Sequence, residues 1–235
     1  MEYVDYSELD ITKLDSIGSG SNAEVYKYDD LAIKVYDDTT FDCKNIQIDI
    51  FEDLRDIDLP GFIKLVDYDT VTCQKERFYK KRREYNVEEK EVIYAYSSKY
   101  IEKSNEKMID KPIDYTLETL YGYKKLLEEL NKRKILISDM HEENIIVSDS
   151  NAVIIDPDLY RYHPSPEKMN MKRIKEYIIY LWCNEYGLDS INSWYTIPEY
   201  FGGPDLDTCI NNIKTKAKVK TPRELMDKDL KMIGM

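Results

Sequence analysis

Apolar residues along this chain recur in two rhythms. In the first half the runs are short or alternate with polar residues. Ile11 to Lys27 reads as two strand-like segments joined by a small-residue loop. Leu31-Ala32-Ile33-Lys34-Val35-Tyr36 predicts a third strand, with Ala32 and Lys34 on one face and Ile33 and Val35 on the other. Ile46, Ile50, Leu54 and Ile57 then fall at helical spacing, and Leu59-Pro60-Gly61-Phe62 ends that helix before a strand-like Ile63 to Val66. On such a helix Glu52 lies roughly opposite the apolar face, with Asp49 and Asp53 nearer its edge. Val92 to Tyr96 predicts a buried strand.

From Asp114 the period becomes helical. Leu117, Leu120, Tyr123, Leu127 and Leu130 recur every three or four residues, and the pattern leads into three short apolar runs, Ile135 to Ile137, Ile145 to Val147 and Val153 to Ile155. Ser165-Pro166 predicts an N-cap and a first-turn proline for a helix carrying Ile174, Tyr177, Ile178 and Leu181, closed by Gly187. Thr221-Pro222-Arg223-Glu224 has the form of a capping box for a last helix. Lys214, Lys216, Lys218 and Lys220 alternate with Thr, Ala and Val, which predicts an exposed edge strand or loop guarded by lysines. Trp194, Tyr195, Tyr200 and Phe201 beside Gly202-Gly203-Pro204 read as an irregular loop over the core, with an aromatic substrate lip as the alternative. Thr72 to Glu91 reads as a polar insertion centred on Lys80-Lys81-Arg82-Arg83, either solvated surface or a dock for an acidic partner or substrate phosphates.

Composition narrows the function classes. The 235 residues are 42% hydrophobic, enough for a real core in one large domain or two small lobes. A formal net charge of −12 sets up a field that repels nucleic acid and anionic membrane. Cys43, Cys73, Cys183 and Cys209 are widely separated, with no CxxC pair and no histidine at ligand spacing. No apolar run is long enough to span a bilayer, and Met1 to Leu9 carries no apolar signal segment. The expectation is a soluble cytoplasmic protein with no nucleic-acid partner and no membrane span.

Candidate chemistry sits at the ends of the predicted strands. Asp139, Asn144 and Asp156 flank the short apolar runs and bring two carboxylates and an amide, groups suited to proton transfer or to a hard cation. Each is open to a plainer role as a turn residue. Upstream, Gly18, Gly20 and Ala23 occupy a G-x-G-x-x-A pattern, with Val25 two residues later. Glycines there let the backbone turn with positive φ and approach a phosphate without Cβ interference, or simply serve a hairpin. Lys34, inside an apolar strand, faces either solvent or an anion.

Taken together, G-S-G-S-N-A-E-V at 18–25, A-I-K at 32–34, D-M-H-E-E-N at 139–144 and I-D-P-D at 155–158 follow the order and approximate spacing of the protein-kinase-like superfamily, which this chain resembles from about Ile11 to Asp158. The resemblance implies an α+β, protein-kinase-like bilobal fold, with a β-rich N-lobe at 1–96 and a reduced, mainly helical C-lobe at 97–235. It implies ATP and Mg²⁺ as cofactors. Gly18, Gly20, Ala23 and Val25 would cover the nucleotide, Lys34 would bind the α/β-phosphates, Asn144 and Asp156 would hold Mg²⁺, and Asp139 would orient or deprotonate the attacking hydroxyl. Backbone near Ser97 to Ile101 would face adenine.

Departures from the pattern matter as well. Ile137-Ser138 stands where the family has His-Arg, Asp156-Pro157-Asp158 replaces D-F-G, and no A-P-E follows. His141, two residues after Asp139, makes D-x-H-x-x-N, which is similar to aminoglycoside and other small-molecule phosphotransferases. The implied activity is phosphoryl transfer to a hydroxyl of a protein or small molecule, without loop phosphorylation as a switch. The alternative is a nucleotide-binding pseudokinase acting as a regulatory module. Among Asp49, Glu52 and Asp53, none is assigned as the acidic partner of Lys34.

Overall fold

The structure is a computed structural model that describes residues 4–6, 9–20, 23–36, 47–74, 90–187, 204–216 and 218–232. The chain divides into two compact units, one formed by Met1–Ile57 with Ile63–Ile101 and the other by Asp58–Phe62 with Glu102–Met235. Mixed α and β structure is present throughout.

The first unit is an antiparallel five-stranded sheet in the order β1-β2-β3-β5-β4, where β1 is Asp15–Ser19, β2 Ala23–Tyr28, β3 Leu31–Tyr36, β4 Leu65–Gln74 and β5 Lys90–Lys99. The alternation in β3 is realised. Ile33 and Val35 are fully buried, whereas Ala32 and Lys34 on the opposite face are only partly covered. Helix α1, Ile48–Arg55, buries Ile50, Phe51 and Leu54, each contributing about 2 kcal/mol of apolar transfer energy. It packs on the Lys34 face. Lys34 is opposite Tyr96, Tyr96 is opposite Tyr68, and Phe51 meets both tyrosines with ring centroids at 5.9 and 4.9 Å. Directly opposed residues of an antiparallel pair share a face, so the helix and the lysine lie on the same side of the sheet.

The other face is covered by the N-terminal segment. The Tyr6 hydroxyl lies 2.9 Å from Ser97 Oγ and 3.1 Å from the Asp67 carbonyl oxygen, and Ser97 is opposite Ile33. Val4, Tyr6 and Ile11 are all buried, a strap that no periodicity in Met1 to Leu9 announces. Two sequence expectations need correction here. The polar insertion is shorter than Thr72 to Glu91, because β4 and β5 pair out to Gln74 opposite Lys90. Lys80 to Arg83 lie outside the described residues, as does Ile46. Strand β5 also extends well beyond Val92 to Tyr96 at both ends, since cross-strand pairing continues where the apolar pattern stops.

The second unit begins with Asp58–Phe62, the loop after α1. Gly61 has φ of 88°, its carbonyl accepts the Ile154 N–H at 2.9 Å, and Phe62 bridges to Ile154. Helix α2, Ile113–Lys132, passes beneath this loop. Its Gly122 leaves no room for a side chain, as a Cβ would fall 2.6 Å from the Pro60 carbonyl oxygen. The predicted stripe of Leu120, Tyr123, Leu127 and Leu130 is buried, while Leu117 is partly covered. Tyr123 Oη donates to the Ala152 carbonyl at 3.0 Å.

The short apolar runs enter two small antiparallel pairs, of which only the second is a hairpin. Strand β6, Ile135–Leu136, pairs with β9, Arg161–Tyr162, and β7, Ile145–Val147, pairs with β8, Ala152–Ile154. Helix α3, Glu167–Tyr186, ends as expected on Gly187, whose φ of 87° requires glycine most. Its N-cap, however, is Pro166 and carries no side-chain cap; Ser165 instead donates its N–H to His163 Nδ1 at 3.1 Å.

Lysines 214 and 216 belong to helix α4, Leu206–Lys216, and not to an edge strand or loop. Leu206, Cys209, Ile210 and Ile213 supply its buried face, and Asp205 Oδ1 caps it by accepting both the N–H and the hydroxyl of Thr208 at 2.8 Å. Those two bonds hold the Asp205 carboxyl below its usual range. Helix α5, Pro222–Met232, forms the predicted box with its return bond shifted by one residue. Thr221 Oγ1 accepts the Glu224 N–H, and the Glu224 carboxylate reaches back to the Lys220 N–H at 2.7 Å. Trp194, Tyr195, Tyr200 and Phe201 lie outside the described residues. No helix among the described residues is long and apolar enough to cross a membrane.

Candidate active site

Two groups of candidate residues are set out by the two units. In the first unit, pairing aligns them in one row. Gly18 lies opposite Val25, Val25 opposite Lys34, and Lys34 opposite Tyr96. A bulge at Ile17 shifts the β1 register so that Gly18, not its neighbour, faces Val25. Ala23 is buried at the start of β2, and the Gly20 N–H closes the turn on the Ala23 carbonyl at 2.9 Å. Lys34 Nζ lies 5.7 Å from the centroid of the Tyr36 ring.

Positive φ, expected of these glycines, is not found. Neither Gly18 nor Gly20 has positive φ, and a Cβ on either meets its nearest neighbour at 3.9 and 3.8 Å, ordinary contact distances. Among the described residues, none requires glycine at these two positions. On α1, Glu52 pairs with Arg55 at 2.5 Å and hydrogen-bonds Tyr68, whose phenol is pushed up first by burial and then by the Glu52 charge.

In the second unit, one side-chain bond and one backbone bond draw the backbones of Asp139, Asn144 and Asp156 together. Asp139 follows β6, Asn144 immediately precedes β7, and Asp156 follows β8. Because Ile145 is opposite Ile154, the start of β7 and the end of β8 lie at one end of the hairpin. The Ile155 N–H donates to the Asn144 carbonyl at 2.9 Å, which seats the residue before Asp156 against Asn144. Asn144, itself buried, donates its amide Nδ2 to the Asp139 carbonyl at 2.6 Å. Its N–H is bonded to the His141 carbonyl at 3.0 Å.

Both Asp139 and Asp156 have left-handed backbone, with φ of 55° and 58°. A non-glycine residue there costs free energy, and such residues cluster at functional sites. The supports beneath them were not evident from sequence. Asn170 of α3, fully buried, accepts the Ile137 N–H at 2.8 Å and donates to the Ile135 carbonyl at 2.9 Å and to Asn131 Oδ1 at 2.8 Å, pinning the strand that leads to Asp139. A lone polar residue in a helical stretch gives no hint of that role. Tyr160 is buried four residues after Asp156, and its phenol is pushed far up, first by burial and then by the Asp156 charge.

An amide oxygen and a carboxylate are the kind of hard donors that a magnesium ion takes, and two of them leave most of its coordination to other ligands. With Nδ2 bonded to Asp139, Asn144 offers its amide oxygen as a hard ligand, and Asp156 adds a carboxylate. Among the described residues, no cluster of three or more His, Cys, Asp or Glu side chains is placed to enclose a metal by itself. Cys183 and Cys209 are buried thiols on α3 and α4, and burial pushes the Cys209 thiol up.

No family model matches the chain, and no curated protein matches it in sequence. Among solved structures it is similar to the kinase PK-1 of Cydia pomonella granulovirus, at 16% identity and a TM-score of 0.42, with 65% of this chain and 56% of that one covered. The similar region thus spans little more than half the length of that kinase.

Proposed function

We propose that this chain is a phosphotransferase that moves the γ-phosphoryl group of ATP, with Mg²⁺, to a hydroxyl of a protein or a small molecule. One observation carries the reading. Asn144 is bonded through its side chain to the main-chain carbonyl of Asp139 and through its own carbonyl to the residue preceding Asp156, so the backbone positions that carry an amide and two carboxylates are drawn to one hairpin end. Mg²⁺ bound there supplies charge neutralisation across the phosphates.

The chain's own residues do the rest. Asn144 and Asp156 offer oxygen ligands, and Asp139 orients the acceptor hydroxyl and takes up its proton as the bond to phosphorus forms. Residues 1–96 act as the nucleotide-binding lobe, in which Gly18, Gly20, Ala23 and Val25 cover the nucleotide and Lys34 binds the α/β-phosphates. Residues 97–235 act as the catalytic lobe. The Gly18–Val25–Lys34 row supports that assignment, because it aligns the loop, the covering valine and the cation on one face. The same reading takes the protein as cytoplasmic, where ATP is supplied.

Incubation with γ-labelled ATP, Mg²⁺ and separate peptide and metabolite panels tests it, with ADP and label both followed. Transfer is expected in one panel. Asp139→Ala is expected to lower transfer by about 10²- to 10⁴-fold while sparing nucleotide binding, and Asp156→Ala to weaken Mg²⁺-dependent nucleotide binding. ATP binding without transfer to any acceptor would favour a nucleotide-binding regulatory module instead.

A further inference from the structure

His141 lies beside Asp139 in a way that its place in the sequence leaves undetermined. Its Nε2 is 3.6 Å from Asp139 Oδ2, and its Nδ1 is 4.0 Å from Glu143 Oε2, so the imidazole stands between two carboxylates. The contact is not forced by packing, since the His141 side chain is 40% exposed and the Asp139 side chain 49% exposed. Backbone bonds nevertheless hold the two residues in register. The His141 carbonyl accepts the Asn144 N–H, and Asn144 Nδ2 returns to the Asp139 carbonyl, closing a ring of bonds around residues 139 to 144.

We infer that His141 is a positioning residue for Asp139: its Nε2–H holds one carboxylate oxygen and leaves the other aimed at the acceptor hydroxyl. This rests on the phosphotransfer reading. An exposed carboxylate on a left-handed backbone has several rotamers, and only some point an oxygen at a hydroxyl attacking in line. A separation of 3.6 Å is too long for a hydrogen bond, yet side-chain rotation of a half-exposed imidazole closes it, and bonds of this kind tighten when substrate is in place. In the step itself the acceptor oxygen bonds to the γ-phosphorus, the bond from phosphorus to the bridging oxygen of ADP breaks, and the hydroxyl proton passes to Asp139. His141 gives up no proton.

The geometry makes a choice between two amides decisive. Glutamine places its amide nitrogen near the Nε2 position, whereas asparagine reaches only as far as Nδ1. Wild type, His141→Ala, His141→Gln, His141→Asn, Asp139→Asn and the His141→Ala/Asp139→Asn double variant are compared for kcat and for the KM of ATP and acceptor, with thermal midpoints confirming that each is folded. His141→Ala and His141→Asn are expected to lower kcat about tenfold with both KM values within twofold of wild type, and His141→Gln to recover most of the loss. The double variant should be no slower than Asp139→Asn alone, because the imidazole acts only through that carboxylate. Wild-type kcat in His141→Ala, equal rates for Gln and Asn, or a raised acceptor KM at unchanged kcat would overturn the positioning role while leaving phosphotransfer intact. Absence of transfer by the wild-type chain would overturn the phosphotransfer reading itself, and the role of His141 with it.

Discussion

Replacing Gly20 or Gly18 by alanine separates what the fold needs from what a ligand needs. An added Cβ meets only ordinary contacts, and neither residue has positive φ, so each variant is expected to keep its stability within about 0.5 kcal/mol by urea denaturation. Its KM for MgATP should rise several-fold, since a methyl group on the loop keeps phosphate from the backbone N–H groups. Unchanged ATP affinity in both variants would remove the loop from the nucleotide site. Strained positions lie elsewhere, at Asp29, Lys134, Asp139 and Asp156, and at the last two glycine would be cheaper and a candidate carboxylate is present instead. Asp139→Gly and Asp139→Ala should therefore lose transfer alike but differ in stability, with the glycine variant more stable by about 1 kcal/mol because it adopts φ of 55° at no steric cost. An alanine variant as stable as the glycine variant would mean that the left-handed backbone relaxes once the carboxylate is gone. The sequence names these residues as candidates through their types and spacing. It does not show their backbone, because φ at a single position is decided by the bonds that close around it, here those of Asn144.

Elements were legible where one side of a strand or helix is more deeply buried than the other. Strand β3 alternates because one face is sealed by the Tyr6 segment, and α2 repeats every three or four residues because one side alone packs. Legibility failed where two patterns overlap. In α4 the lysines at 214 and 216 alternate like an edge strand, yet Leu206, Cys209, Ile210 and Ile213 carry a helical repeat, and Asp205 with Thr208 supplies the cap that marks its start. In sequence Leu59-Pro60-Gly61-Phe62 reads only as a helix terminator. Its further role comes from Gly122, which admits Pro60 against α2, and from Gly61, whose carbonyl holds β8 two residues before Asp156. Gly122→Ala is expected to cost about 2 kcal/mol by chemical denaturation, because the new Cβ must push the Pro60 carbonyl from 2.6 Å to contact distance through a tightly packed loop. A loss under about 0.5 kcal/mol would show that the loop yields freely and is not a fixed anchor for β8.

At the scale of the whole molecule, the distribution of its 21 tyrosines sets how the protein meets alkali. Tyr6 in the first unit and Tyr115, Tyr123 and Tyr160 in the second are buried, and burial is the foremost cause pushing all four phenols above their ordinary value. Each therefore keeps its proton in the folded chain at a pH where the unfolded chain releases it. The folded state then binds more protons than the unfolded one, so stability falls as pH rises. The contribution is intact below the unfolded phenol value of about 10 and is lost progressively above it. Absorbance at 295 nm should accordingly show the buried group ionising only together with loss of far-UV circular dichroism. Net charge of −12 also grows more negative in alkali, and its self-repulsion pushes in the same direction. Salt separates the two causes. At about 1 M ionic strength surface repulsion is screened within about 3 Å, so a late step that persists there belongs to the buried phenols. Tyr123→Phe should then remove one phenol from that late step, while also costing about 1 kcal/mol at neutral pH for the lost bond to Ala152. A single smooth ionisation of all tyrosines near pH 10 with the fold unchanged would contradict the burial of this group.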